Sequence, residues 1–93
     1  MNPIFTLYPT IDYATLQNEV EKRFNIKIDD ICDLIFHGEY CNDSYRQYHF
    51  NEDITWPSPR SISQMNDYKE NLVRRYLREQ LPGYNIVLID TSW

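Results

Sequence analysis

A chain of 93 residues with 42% hydrophobic and 15% aromatic residues, eight tyrosines and only two glycines reads as a single compact globular domain, 1–93, and not as a disordered segment. So short a chain buries one modest core and leaves little room for a cleft lined by many catalytic groups. Its net charge of −5 lacks the basic footprint that a phosphate backbone requires, which excludes direct nucleic-acid binding as the first expectation.

Residues 4–8, IFTLY, form a β-branched and aromatic run stopped by Pro9, as suits a strand. Thr10 or Asp12 then caps a helix running from about Asp12 to Phe24, with Tyr13, Leu16, Val20 and Phe24 at helical spacing and Glu19, Glu21, Lys22 and Arg23 toward solvent. Asp29 or Asp30 caps a short second helix that turns Ile31, Leu34 and Ile35 inward, with Gly38 just past its end. Over residues 39–53 the aromatic positions alternate loosely, and periodicity leaves strand and loop both open. WPSPRS, residues 56–61, is a rigid turn.

Ser61 and Gln64 have capping-box spacing and open a third helix. Its apolar stripe is expected to run through Ile62, Met65, Tyr68 or Lys69, Leu72, Tyr76 and Leu77, ending at Leu81-Pro82-Gly83. The nearly continuous apolar run in YNIVLID, residues 84–90, predicts a strand covered on both faces. Pairing residues 84–90 with 4–8 and laying about three helices over them gives an α+β domain on a short antiparallel sheet. Two strands alone are marginal. Either residues 39–53 add strands, or the helices carry the core and an open edge pairs with a second copy.

No window reaches the roughly 18 apolar residues of a bilayer span. MNPIFTLYP has neither a basic segment nor a long apolar one, which speaks against a signal peptide. Cys32 and Cys41 are too few for a disulfide framework and read as reduced thiols in a cytoplasmic chain.

Together with His37 and His49 they give the spacing C-x4-H-x3-C-x7-H, which supplies zinc-type ligands but lacks the close pairs that hold a structural ion. No metal or other cofactor is expected. Cys41 with His37 or His49 and Asp43 has the residue types of a thiol nucleophile and its base, without any local signature of one. Asp29 and Asp30 are accounted for as helix caps. On the third helix, Glu70–Arg74 and Arg75–Glu79 have the four-residue spacing of ion pairs on a solvated face.

The distribution of charge is more informative than its total. Between residues 28 and 53 lie Asp29, Asp30, Asp33, Glu39, Asp43, Glu52 and Asp53 against a single base, Arg46. This one segment therefore holds more than the whole net charge, and Tyr40, Tyr45, Tyr48 and Trp56 sit in or beside it. Tyrosine and tryptophan anchor protein interfaces, and spaced carboxylates can stand where phosphates would. The expectation is a non-enzymatic binding protein, with no catalytic residues, that masks a basic partner such as a nuclease or another nucleic-acid-handling complex. In size and charge it resembles phage anti-CRISPR, anti-restriction and immunity-type inhibitors. Asp33, Glu39, Tyr40, Asp43, Tyr45, Glu52, Asp53 and Trp56 are the expected contacts. The alternative is a self-assembling homo-oligomer in which the acidic segment of one copy meets the arginine-bearing helix of the next.

Overall fold

The computed structural model describes residues 8–36, 45–55 and 63–91. Its elements are β1 (Thr10–Asp12), α1 (Tyr13–Phe24), α2 (Ile31–Phe36), β2 (Tyr45–His49), α3 (Ser63–Gln80) and β3 (Ile86–Asp90). The α+β arrangement, three helices on a small sheet, is the one expected from the sequence.

Asp12 carries out two tasks at the β1–α1 junction. Its backbone is still extended, while its Oδ2 accepts the amides of Ala14 at 3.1 Å and Thr15 at 3.2 Å, two donors that the first helical turn leaves without partners. Leu16 and Val20 are the buried face of α1. The helix ends at Asn25, whose left-handed backbone (φ 52°) sends its amide back to the Glu21 carbonyl. Of the two candidate caps for α2, Asp30 takes the role: its Oδ1 accepts from Cys32 N at 3.0 Å and Asp33 N at 3.3 Å. Ile31, Cys32, Ile35 and Phe36 point into the core, and Leu34 is half-buried.

The strand order is β1-β3-β2, with β3 in the centre. β2 runs antiparallel to it, with Tyr48 opposite Val87. β1 runs parallel, with Ile11 opposite Ile89. The sheet is thus mixed, and the expected antiparallel pairing holds for β2 alone. Parallel pairing needs a long crossover, and here all three helices of the described residues lie between β1 and β3. Residues 4–7 of the expected first strand lie outside the described residues. Pro9 does not end pairing: it has no N–H to give, but its carbonyl accepts the Leu88 amide at 2.9 Å. Within 39–53 the question left open is answered for 45–49, which form β2. Val87, Leu88 and Ile89 are all buried, as a strand covered on both faces requires.

α3 departs from the expected stripe. Leu72, Tyr76 and Leu77 face the core as expected, and Val73 joins them. Met65 is 57% exposed and Tyr68 44% exposed, because the first turns of α3 reach past the apolar core. The inward position one turn before Val73 is taken by Glu70, only 1% exposed. The Ser61–Gln64 capping box and Gly38 lie outside the described residues. At the far end, Leu81 N donates to Leu77 O at 2.8 Å, and Gly83 adopts φ +88°, a conformation costly for any residue with a Cβ.

Candidate functional site

Side chains of α1 set the path of the chain between α1 and α2. Gln17 donates from Nε2 to the Ile28 carbonyl at 2.6 Å and accepts the Ile31 amide on Oε1 at 3.1 Å. Glu21 Oε2 accepts the Ile28 amide at 2.7 Å. These bonds fix residues 28–31 against α1, and a cleft of about 360 Å³ lies between α2 and the first half of α3. Ile28 and Leu34 form its apolar wall; Asp29, Asp30, Asp33 and Asp67 form most of its polar lining, with Lys69 as the one base among the described residues. Asp30 spends an oxygen on the α2 cap. Among the described residues no ion pair involves Asp29, Asp33 or Asp67.

Glu70, at the edge of the same cleft, turns its carboxylate the other way into a buried cluster. Tyr48 OH donates to Glu70 Oε2 at 2.7 Å, and Arg74 Nη2 donates to the same oxygen at 3.1 Å. The Arg74 guanidinium also lies over the Tyr48 ring, 5.0 Å from its centroid. Burial is the main reason that the Tyr48 phenol is held far above its ordinary pKa; the Glu70 charge and the hydrogen bond to it act in the same direction. Tyr48 is therefore a fixed proton donor.

Arg74 and Arg78 then bind the segment that follows β2. Arg74 Nη1 donates to the carbonyls of His49 at 2.9 Å and Glu52 at 2.8 Å. Arg78 donates to the Phe50 carbonyl at 3.2 Å and pairs with Asp53 at 2.7 Å. Asn71 adds two bonds to the backbone of Ile54. Of the two ion pairs expected on a solvated face, Glu70–Arg74 forms but is buried rather than solvated, and Arg75–Glu79 is not among the ion pairs of the described residues. Glu79 pairs across the fold with Arg23 at 3.0 Å.

Of the expected contact residues, Asp33, Glu52 and Asp53 lie beside two stretches of α3. Asp33 lies on the cleft rim, beside α3 residues 66–70. Glu52 and Asp53 lie beside Arg74 and Arg78; Glu52 is exposed through its side chain, and Asp53 is already engaged. Tyr45 is 46% exposed on β2, whereas Tyr48 is core. Glu39, Tyr40, Asp43 and Trp56 lie outside the described residues, as do His37 and Cys41. Cys32 is buried in α2, and His49 is exposed on β2. Among the described residues no group of three or more His, Cys, Asp or Glu is placed to hold a metal, and no helix is long and apolar enough to cross a membrane.

Asp29 and Asp67 enter the site although neither stood among the expected contacts. Asp29 and Asp30 are both cap candidates by sequence, but Asp30 fills that role and leaves Asp29 on the rim. Asp67 sits in a part of the sequence with balancing bases, and only the packing of α2 on α3 brings it to the cleft. Glu70 did leave a signal: with Val73 and Leu77 it makes an i, i+3, i+7 row, a buried position for whatever residue stands there. No protein-family model, curated protein or solved structure matches the chain.

Proposed function

We propose that the chain is a small acidic binding protein that inhibits or masks a basic, nucleic-acid-handling protein, with the α2–α3 cleft as the centre of its contact surface. The observation that carries this reading is the grouping of Asp29, Asp33 and Asp67 around a cleft with an apolar wall and one base. A cationic side chain entering it meets carboxylates on the rim and methyl groups beneath. That combination suits the long stem and charged head of arginine or lysine. Like-signed charge on this face also speeds encounter with a basic partner and repels acidic ones. The exposed carboxylate of Glu52 extends the same sign beyond β2, in keeping with anti-CRISPR, anti-restriction or immunity-type inhibition by mimicry of nucleic-acid charge.

The self-assembly alternative needs a basic surface on α3. Arg74 and Arg78 are turned inward to the 49–53 segment, which leaves Arg75 as the exposed member of that arginine group.

The test is inhibition of a panel of purified CRISPR effector and restriction complexes, read as DNA cleavage, by the wild-type chain and by Asp29→Lys/Asp33→Lys/Asp67→Lys. The expected result is salt-sensitive inhibition of a panel member that the triple variant no longer shows, with an unchanged circular dichroism spectrum. Inhibition equal in both proteins would overturn the role of the cleft. No inhibition together with salt-sensitive oligomers in light scattering would favour the self-assembling subunit.

A further inference from the structure

Residues 50–54 follow β2 without regular secondary structure, yet their main chain is held at 50, 52 and 54. Phe50 opens the segment as a fully buried anchor, with its amide on the Asn85 carbonyl at 3.1 Å, and half-buried Ile54 closes it. Between these anchors α3 supplies the partners. Asn71, Arg74 and Arg78 stand one position along from the inward row Glu70, Val73 and Leu77, so they flank the core and meet the chain as it leaves β2.

These three side chains address main-chain atoms. Arg74 binds the carbonyls of His49 and Glu52, Arg78 that of Phe50, and Asn71 both the amide and the carbonyl of Ile54. The hold therefore does not depend on which side chains stand at 51 and 52. Arg78–Asp53 adds one side-chain contact, but Asp53 is partly exposed and the main-chain bonds remain without it. Asn51 and Glu52 are exposed, and the Glu52 carboxylate has no hydrogen bond or ion pair among the described residues. Both of its oxygens are open to a guanidinium fork or an ammonium. The conformational freedom that a loose loop gives up on meeting a partner is given up here at folding instead.

We infer that residues 50–54 are a preorganised contact loop: α3 holds its main chain through Asn71, Arg74 and Arg78 and so presents the Glu52 carboxylate to a basic side chain of the partner protein. This rests on the reading of the chain as an inhibitor of a basic protein and adds a second contact to the cleft. Arg74 is then a positioning residue that acts through Glu52.

The test is a double-mutant cycle of Glu52→Ala with Arg74→Lys, read as inhibition in the panel of CRISPR effector and restriction complexes. Lysine keeps the charge beside Glu70, but a single ammonium cannot reach Glu70 and both carbonyls as two nitrogens do. Each substitution should weaken inhibition about tenfold in protein that circular dichroism shows to be folded. The double variant should be no weaker than Glu52→Ala alone. If Arg74→Lys weakens inhibition by the same factor with and without Glu52, its role is merely structural and the inference is overturned. Should Arg74→Lys not fold, Asn71→Ala, which removes only the two bonds to Ile54, takes its place in the cycle. In the unbound wild type, NMR order parameters of residues 51–53 should match those of α3, and values below about 0.6 there would refute preorganisation. Inhibition that the Asp29→Lys/Asp33→Lys/Asp67→Lys variant loses and Glu52→Ala leaves unchanged overturns the loop and keeps the inhibitor reading. No inhibition of any panel member overturns that reading, and the loop's role with it.

Discussion

Arg78 Nη2 stands 2.7 Å from Asp53 Oδ1, so an acid that the sequence offers as a partner contact is already answered from within the chain. Asp33 has no such pair among the described residues and lies on the cleft rim. The two should therefore separate on mutation. Asp53→Asn should cost less than about 1 kcal/mol of stability, since the pair is partly solvated, and should leave inhibition of a basic target nearly unchanged. Asp33→Asn should leave urea stability intact and weaken inhibition. Equal losses of inhibition from both substitutions would remove the distinction drawn between the cleft and the 49–53 segment.

Glu70, Tyr48 and Arg74 form a buried charged cluster, and such clusters respond asymmetrically to change. Glu70→Ala strands Arg74 in a site where its side chain is 17% exposed and should destabilise by about 3–5 kcal/mol. Glu70→Gln keeps both partners within hydrogen-bond reach and should cost less. Tyr48→Phe/Glu70→Leu/Arg74→Met replaces the whole cluster with apolar volume and should recover most of the loss. Urea denaturation of the three variants checks the order, and a triple variant as unstable as Glu70→Ala contradicts it.

The contrast between Glu70 and Leu16 shows what the sequence made legible. Local signals worked wherever a residue's neighbours in sequence are also its neighbours in space. The Asp12 cap, the Leu16–Val20 face, the Asp30 cap and the apolar run of β3 are all of that kind. Signals failed where packing partners are remote. Glu79 has the spacing to pair with Arg75, yet it binds Arg23 on another helix. Met65 has the spacing of a core residue, yet α3 outruns the core at that point. Glu70 is polar by type, and the Tyr48 hydroxyl, 22 residues away, joins Arg74 in making its burial tolerable. The cleft follows the same rule. Its acids come from residues 29–33 and from Asp67, and no reading of local charge joins them.

Alkaline pH should act through Tyr48. Burial, then the Glu70 charge and hydrogen bond, raise its phenol pKa in the native state. The unfolded phenol releases its proton first, near pH 10. The stability this shift contributes is therefore fully present below about pH 10 and is lost as pH rises above it, by up to about 1.4 kcal/mol per pH unit. Tyr76 shifts in the same direction, through burial and then Glu19, and adds to the fall. Melting temperatures taken from about pH 9 to pH 11 should drop less steeply for Tyr48→Phe than for wild type. Parallel curves would show that Tyr48 ionises in the native state as readily as in the unfolded chain.

Gln17 supplies the last prediction, because its amide is used from both ends. Nε2 donates to the Ile28 carbonyl at 2.6 Å, and Oε1 accepts the Ile31 amide at 3.1 Å. Alanine leaves both backbone groups of this part-buried loop without their partner, at a cost of about 1–3 kcal/mol. Glutamate should be no better, and worse as pH rises above its ionisation: it keeps an acceptor for Ile31 but sets a second oxygen against the Ile28 carbonyl, with Glu21 nearby as a like charge. Because this bond pair holds the wall from which Asp29 and Asp33 project, both substitutions should also weaken inhibition, although Gln17 is not among the residues lining the cleft. Urea midpoints and inhibition measured on the same preparations check the two effects together. A Gln17→Ala protein with wild-type inhibition and lowered stability would show that the cleft keeps its shape without this brace.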